Sequence, residues 1–219
     1  MKEEIDFKED AMEHLFKEFK FKLNEANRHY HLGMACSALL CFDEAITAFE
    51  KAVFADPEHV KALCELGWHY KFQADNEYDY PGGKEDAKEI YEKAAAAYKQ
   101  VIRLRPALVS AHTDLGTIYA ALGNQEEAVG AFKEALRIRP TYAEAHYHLA
   151  LSYLKMGDKS SAIEEYHRLG SLGSDLSKNL FCHLWPDQCQ PSENAKNKIY
   201  PGIATESTTQ KSEQRRELT

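Results

Sequence analysis

The sequence predicts an all-α solenoid, a stack of helix–turn–helix units with a capping helix at each end. Three observations predict it. Val109 to Pro140 reads VSAHTDLGTIYAALGNQEEAVGAFKEALRIRP, two helix-length apolar patterns broken by Gly123-Asn124 and closed by a proline. The preceding closing proline, Pro106, lies 34 residues before Pro140. The series Leu115, Gly116, Tyr119, Ala128, Phe132 and Ala135 has counterparts at matching spacings elsewhere in the chain.

In order along the chain, residues 3 to 23 carry Phe7, Ala11, Leu15 and Phe19 at helical spacing, with Phe16 and Leu23 beside them. EDAMEHL, Glu9 to Leu15, echoes DEAITAF, Asp43 to Phe49, so residues 1–25 are expected to be a capping helix or a degenerate half-repeat. Residues 26–59 form the first full unit, with Leu32, Gly33, Ala45, Phe49, Ala52 and Pro57 in place and Cys36 at the tyrosine position. Residues 60–108 form an irregular second unit, because Pro106 follows Pro57 by 49 residues instead of 34. KEDAKEIY, Lys84 to Tyr91, has the look of a second-helix start, and Ala94 and Tyr98 repeat that signal seven residues on. The expectation is therefore a longer turn over Asn76–Gly83 (NEYDYPGG) and a second helix longer by two turns. Residues 109–142 and 143–176 are the third and fourth units. The fourth keeps Leu149, Ala150, Tyr153, Ala162 and Tyr166 but has Ser174 where the proline would stand. Leu176, Leu180, Phe181 and Leu184 suggest a short capping helix over 177–185, begun by Asp175. Residues 186–219 are rich in Ser, Thr, Gln, Asn and Lys and read as a disordered tail.

With 219 residues, 44% apolar content and 28% charged, the chain can bury a core. A net charge of −8 argues against a nucleic-acid binder, which carries a basic face. MKEEIDFKED is neither a secretory signal nor a transit peptide, and the longest uncharged stretch, Leu32 to Phe42, is too short to span a membrane. The expectation is a cytoplasmic protein without membrane segments. Cys36, Cys41, Cys64, Cys182 and Cys189 are an odd number without a CxxC pair, which suggests neither a disulfide framework nor a zinc site. Cys36, Cys41 and Cys64 read as small buried hydrophobes, and Cys182, His183 and Cys189 lack a fourth metal ligand. His29, His112 and His146 occupy one recurrent position, which points to packing rather than to chemistry. No HExxH, P-loop, GxSxG or Rossmann fingerprint occurs, so no enzyme, cofactor or metal is expected.

Over about residues 26–176 the chain resembles the tetratricopeptide repeat family. Gly33, Gly67, Gly116 and Ala150 would let two helices approach, and Phe49, Phe132, Tyr70, Tyr119, Tyr153 and Tyr166 would fill the remaining space. The resemblance implies a right-handed superhelix, an α-solenoid whose concave groove is lined by the first helix of each unit and binds a peptide or partner helix. Mapped onto this sequence, the groove candidates are Tyr30, Met34, Trp68, Phe72, Thr117, Tyr147, His148 and Leu151, with Tyr78 and Tyr80 as insertion-loop candidates at a rim. The carboxylate clamp for EEVD tails needs Lys, Asn, Asn, Lys and Arg. Tyr30, Met34, Trp68, Ser110 and Asp114 stand there instead, or Cys64, Trp68, Thr117, Glu144 and His148 one unit on. An asparagine ladder is replaced by His31, Glu65, Asp114 and His148. The expected function is thus a non-catalytic scaffold binding a protein or peptide partner, not an EEVD tail. The alternatives are a self-assembling homo-oligomer and an accessory subunit of an enzyme complex.

Overall fold

The computed structural model describes residues 21, 24–77 and 83–189. The expectations for an N-terminal cap, for Tyr78 and Tyr80, and for the tail from residue 190 lie outside them. Among the described residues the fold is helical without strands. The helices are α1 (residues 24–38), α2 (Phe42–Ala55), α3 (Val60–Glu77), α4 (Gly83–Leu104), α5 (Val109–Ala121), α6 (Gln125–Ile138), α7 (Ala143–Lys155), α8 (Lys159–Ser171) and α9 (Leu176–Leu184). From α2 onward each helix packs against the next one in sequence, and α5·α7 and α7·α9 contacts join alternate helices. Packing that stays this local is the mark of a helical-repeat solenoid.

The small-residue positions explain how two helices of one unit come together. A Cβ on Gly33 would stand 2.6 Å from Phe49 Cε1, and one on Gly116 would stand 2.5 Å from Phe132 Cε1. Both are closer than carbon atoms approach without displacement, so the ring of the second helix lies where a first-helix side chain would be. In the second unit the ring against Gly67 belongs to Tyr98, 2.8 Å from the ideal Cβ. Tyr98 is therefore the counterpart of Phe49 and Phe132, and the added length precedes it.

That length is distributed differently from the expectation. α3 has 18 residues against 13 in α5, and α4 has 22 against 14 in α6. The second helix is longer by about two turns, as expected, but Asn76 and Glu77 belong to α3 and Gly83 begins α4, so most of the expected longer turn is helix instead. The extensions pack on each other: Ala74 and Ala87 are fully buried, and Tyr91 Oη donates to Asp75 Oδ1 at 2.5 Å. Lys71 also pairs with Asp75 at 2.7 Å, one turn earlier on the same face.

The seams between units repeat a second device. His112 Nε2 lies 2.8 Å from the carbonyl oxygen of Pro106, and His146 Nε2 lies 2.8 Å from that of Pro140. Each buried imidazole donates to the proline that closes the unit before it. In the second unit Gln100 Nε2 donates to the Pro57 carbonyl at 2.5 Å. His146 also bonds the buried Glu165 through Nδ1 at 2.5 Å, and Arg168 holds the other carboxylate oxygen.

α9 lies against α7 and α8, with Leu180 and Leu184 buried. Trp185 onward is a separate unit whose described part includes a 3₁₀ turn at Pro186–Gln188, where a disordered tail was expected to begin. The cysteines also depart from expectation. Cys36, Cys41 and Cys64 are free thiols, but none is fully buried: Cys36 and Cys64 are half-buried, and Cys41 is exposed because it stands in the turn before α2. Cys182 and Cys189 are disulfide-bonded, which their odd count and wide spacing did not suggest.

Candidate functional site

Two recesses open where successive first helices run side by side. The first is lined by Ser37 of α1, Cys64, Glu65 and Trp68 of α3, Asp114 of α5, and Tyr98 of α4, and its volume is about 400 Å³. The second is lined by Lys71 of α3, Thr117 and Ala121 of α5, and His148, Leu151 and Lys155 of α7, with a volume of about 210 Å³. One turn of α3, from Trp68 to Lys71, connects them.

The aromatic wall of the first recess is built by helical spacing. Trp68 and Phe72 are four residues apart and stack with centroids 5.5 Å apart and planes 11° apart. Phe72 also packs on Phe42, with ring centroids 4.8 Å apart. Trp68 nevertheless keeps 46% of its surface exposed. The floor is acidic. Tyr98 donates its hydroxyl to Asp114, yet burial dominates and raises the Asp114 carboxyl to about 6. Lys71 opposes that shift and Glu144 adds to it. Burial likewise raises the Cys64 thiol to about 11, with further contributions from Asp114 and Glu65, so this cysteine is a neutral thiol and not a nucleophile.

The second recess is weighted the other way, with Lys71 and Lys155 at its edge. His148 stacks on Phe132 at 5.7 Å with planes 16° apart. Burial holds its basicity below the ordinary value, against an opposing pull from Glu144. Thr117 Oγ1 is turned back onto the Asp114 carbonyl at 2.7 Å.

Of the residues expected from the sequence, Trp68 lines the first recess with Phe72 stacked beneath it, and Thr117, His148 and Leu151 line the second. Tyr30 packs beside Phe49 and His59, 6.0 and 5.2 Å away, and lines neither recess. Met34 is exposed apart from both, and Tyr147 Oη faces His183 of α9 at 3.4 Å. Tyr98 was missed because it stands on a second helix. The glycine it fills, Gly67, was the available signal. Among the described residues no group of three or more His, Cys, Asp or Glu could hold a metal ion, and no helix is long and apolar enough to cross a membrane.

The family model for the TPR repeat matches residues 87–123 and 116–157, and the model for the tetratricopeptide repeat matches 144–172. The chain carries tetratricopeptide repeats over residues 87–172. Its repeats place it among protein-interaction scaffolds. The chain is similar in fold to a crystal structure of MamA protein, with 24% identity and a TM-score of 0.61 over 74% of this chain and 81% of that one. A second MamA crystal structure shares 25% identity over 71% and 84%, with a TM-score of 0.59. MamA from Desulfovibrio magneticus RS-1 shares 22% over 68% and 76%, with a TM-score of 0.59. No curated protein matches the sequence. Both recesses lie on the first-helix face of the stack, and each spans three units.

Proposed function

We propose that this chain holds an extended segment or helix of a partner protein across the first-helix face, through both recesses at once. The observation that carries the reading is Trp68, stacked on Phe72 and left half-exposed at the mouth of a recess. A large indole fixed by a second ring loses little rotamer freedom on binding and offers much apolar area, which is why such residues dominate interfaces. Beside it, Glu65 and the poorly solvated Asp114 suit a cationic side chain. Lys71 and Lys155 suit an acidic one further along. The partner segment is therefore amphoteric, with a Lys or Arg near Trp68 and an Asp or Glu nearer α7.

The test is partner capture from the native source by wild type, Trp68→Ala and Asp114→Asn, followed by titration of synthetic segments of the captured protein. Trp68→Ala is expected to weaken binding at least about tenfold, the loss of an aromatic anchor. A cation beside Asp114 returns its carboxyl toward the ordinary range, so binding releases a proton and tightens as pH rises through about 6. Asp114→Asn is expected to flatten that profile. An unchanged partner list and affinity in Trp68→Ala would sink the groove reading.

A further inference from the structure

Among the described residues nothing covers one face of the first unit, and the rest of the stack says what shape fits it. In each seam a leucine and a tyrosine of a first helix sit on the preceding second helix. Leu66 and Tyr70 sit on Ala45, Phe49 and Val53; Leu115 and Tyr119 share a core with Ala94, Tyr98 and Ile102; Leu149 and Tyr153 sit on Ala128, Phe132 and Leu136. The supporting triplet always has the spacing i, i+4, i+8, one stripe of a helix, and its last member always precedes the leucine by 13 residues. In the first unit the equivalent residues are Leu32 and Cys36, with Leu39 standing where Leu122 stands in the third. Leu32 is 53% exposed, against 7% for Leu66, 7% for Leu115 and 2% for Leu149, and Leu39 is 75% exposed. Along the same face runs a recess of about 440 Å³, lined by Leu32, Cys36, Thr47, Ala48 and Lys51 among others.

Counting back one 34-residue period from Ala45, Phe49 and Val53 reaches Ala11, Leu15 and Phe19, and Phe19 precedes Leu32 by 13 residues. We propose that residues 7–19 of this same chain form a second-type helix that seats on Leu32, Cys36 and Leu39, completing the stack at its N-terminal end. The connection to α1 then has the length that every other seam uses, so docking is intramolecular and needs no second molecule. Seated this way, the segment also closes the end of the solenoid to a further copy, which would otherwise add there in an open-ended series. The inference is independent of what the groove binds.

The test is amide hydrogen exchange on the full chain, wild type and Leu32→Asp, with light scattering on the same samples. The expected result is that residues 7–19 exchange at least roughly tenfold more slowly than an unstructured chain in wild type and lose that protection in Leu32→Asp. Retained protection in α6 to α8 shows that the variant is folded. Coil-like exchange of residues 7–19 in wild type overturns the proposal, as does protection untouched by Leu32→Asp. Protection that vanishes on dilution together with a dimeric mass overturns it in favour of a second copy.

Discussion

At the scale of single residues, the chain separates glycines that hold space from glycines that do not. Gly116 faces Phe132, and Phe132 is fully buried, so neither can give way. Gly116→Ala is expected to cost about 1–3 kcal/mol through overpacking. Gly130, in the middle of α6 with nothing within 4 Å of an added Cβ, is the counter-case. Gly130→Ala is expected to stabilise by about 0.5–1 kcal/mol through helix propensity alone. Urea midpoints of the two variants should move in opposite directions, and equal shifts would remove the steric account. Asp114 supplies a pH signature. Its folded carboxyl lies at about 6, above the ordinary aspartate value of 3.8, so the folded state binds the proton more tightly than the unfolded one. The stability this gives is fully present below about pH 4 and is lost as pH rises through 6, on the order of 1–3 kcal/mol. Asp114→Asn keeps an acceptor for Tyr98 and should make the urea midpoint nearly flat between pH 5 and 7.5 around this site, where wild type falls.

At the scale of elements, the seams are fastened by histidine as well as by packing. His146 satisfies the Pro140 carbonyl and one oxygen of Glu165, which is itself buried. His146→Ala strands that carboxylate with Arg168 alone and is expected to cost about 3–5 kcal/mol. His112→Ala, which removes a single bond to the Pro106 carbonyl and part of the packing, should cost less than half as much in the same thermal melt. Recurrence made the packing role of these histidines legible, since one residue type at one place in several units has a common cause. The glycine and aromatic spacing was legible for the same reason. The division of the extra residues in the second unit was not. Both KEDAKEIY and AAAAY read as the start of a second helix, and NEYDYPGG reads as loop. The polar end of α3 is helical because Lys71 and Tyr91 satisfy Asp75 and because Asn76 Nδ2 bonds the Phe72 carbonyl at 2.9 Å, contacts that no local pattern announces. The acidic floor of the first recess was half legible. Glu65 and Asp114 were on the groove face, but the burial that changes Asp114 depends on Tyr98, which arrives from another helix.

At the scale of the whole molecule, contacts between neighbours alone make stability a local property. Leu180, fully buried in α9, anchors that helix on the last unit. Leu180→Ala is expected to cost about 2–4 kcal/mol, felt as faster exchange in α7 to α9 with much smaller changes in α2 and α3. A uniform rise across the chain would mean that the stack unfolds as one cooperative block. The paired lengthening of α3 and α4 has a consequence at this scale as well. An array of like units presents the same face at every period, so a bound chain could slide by one unit and find nearly the same surroundings. One hairpin that is longer than the rest removes that translational degeneracy. A segment lying along the units then has one origin from which to be counted, and one direction in which to be read.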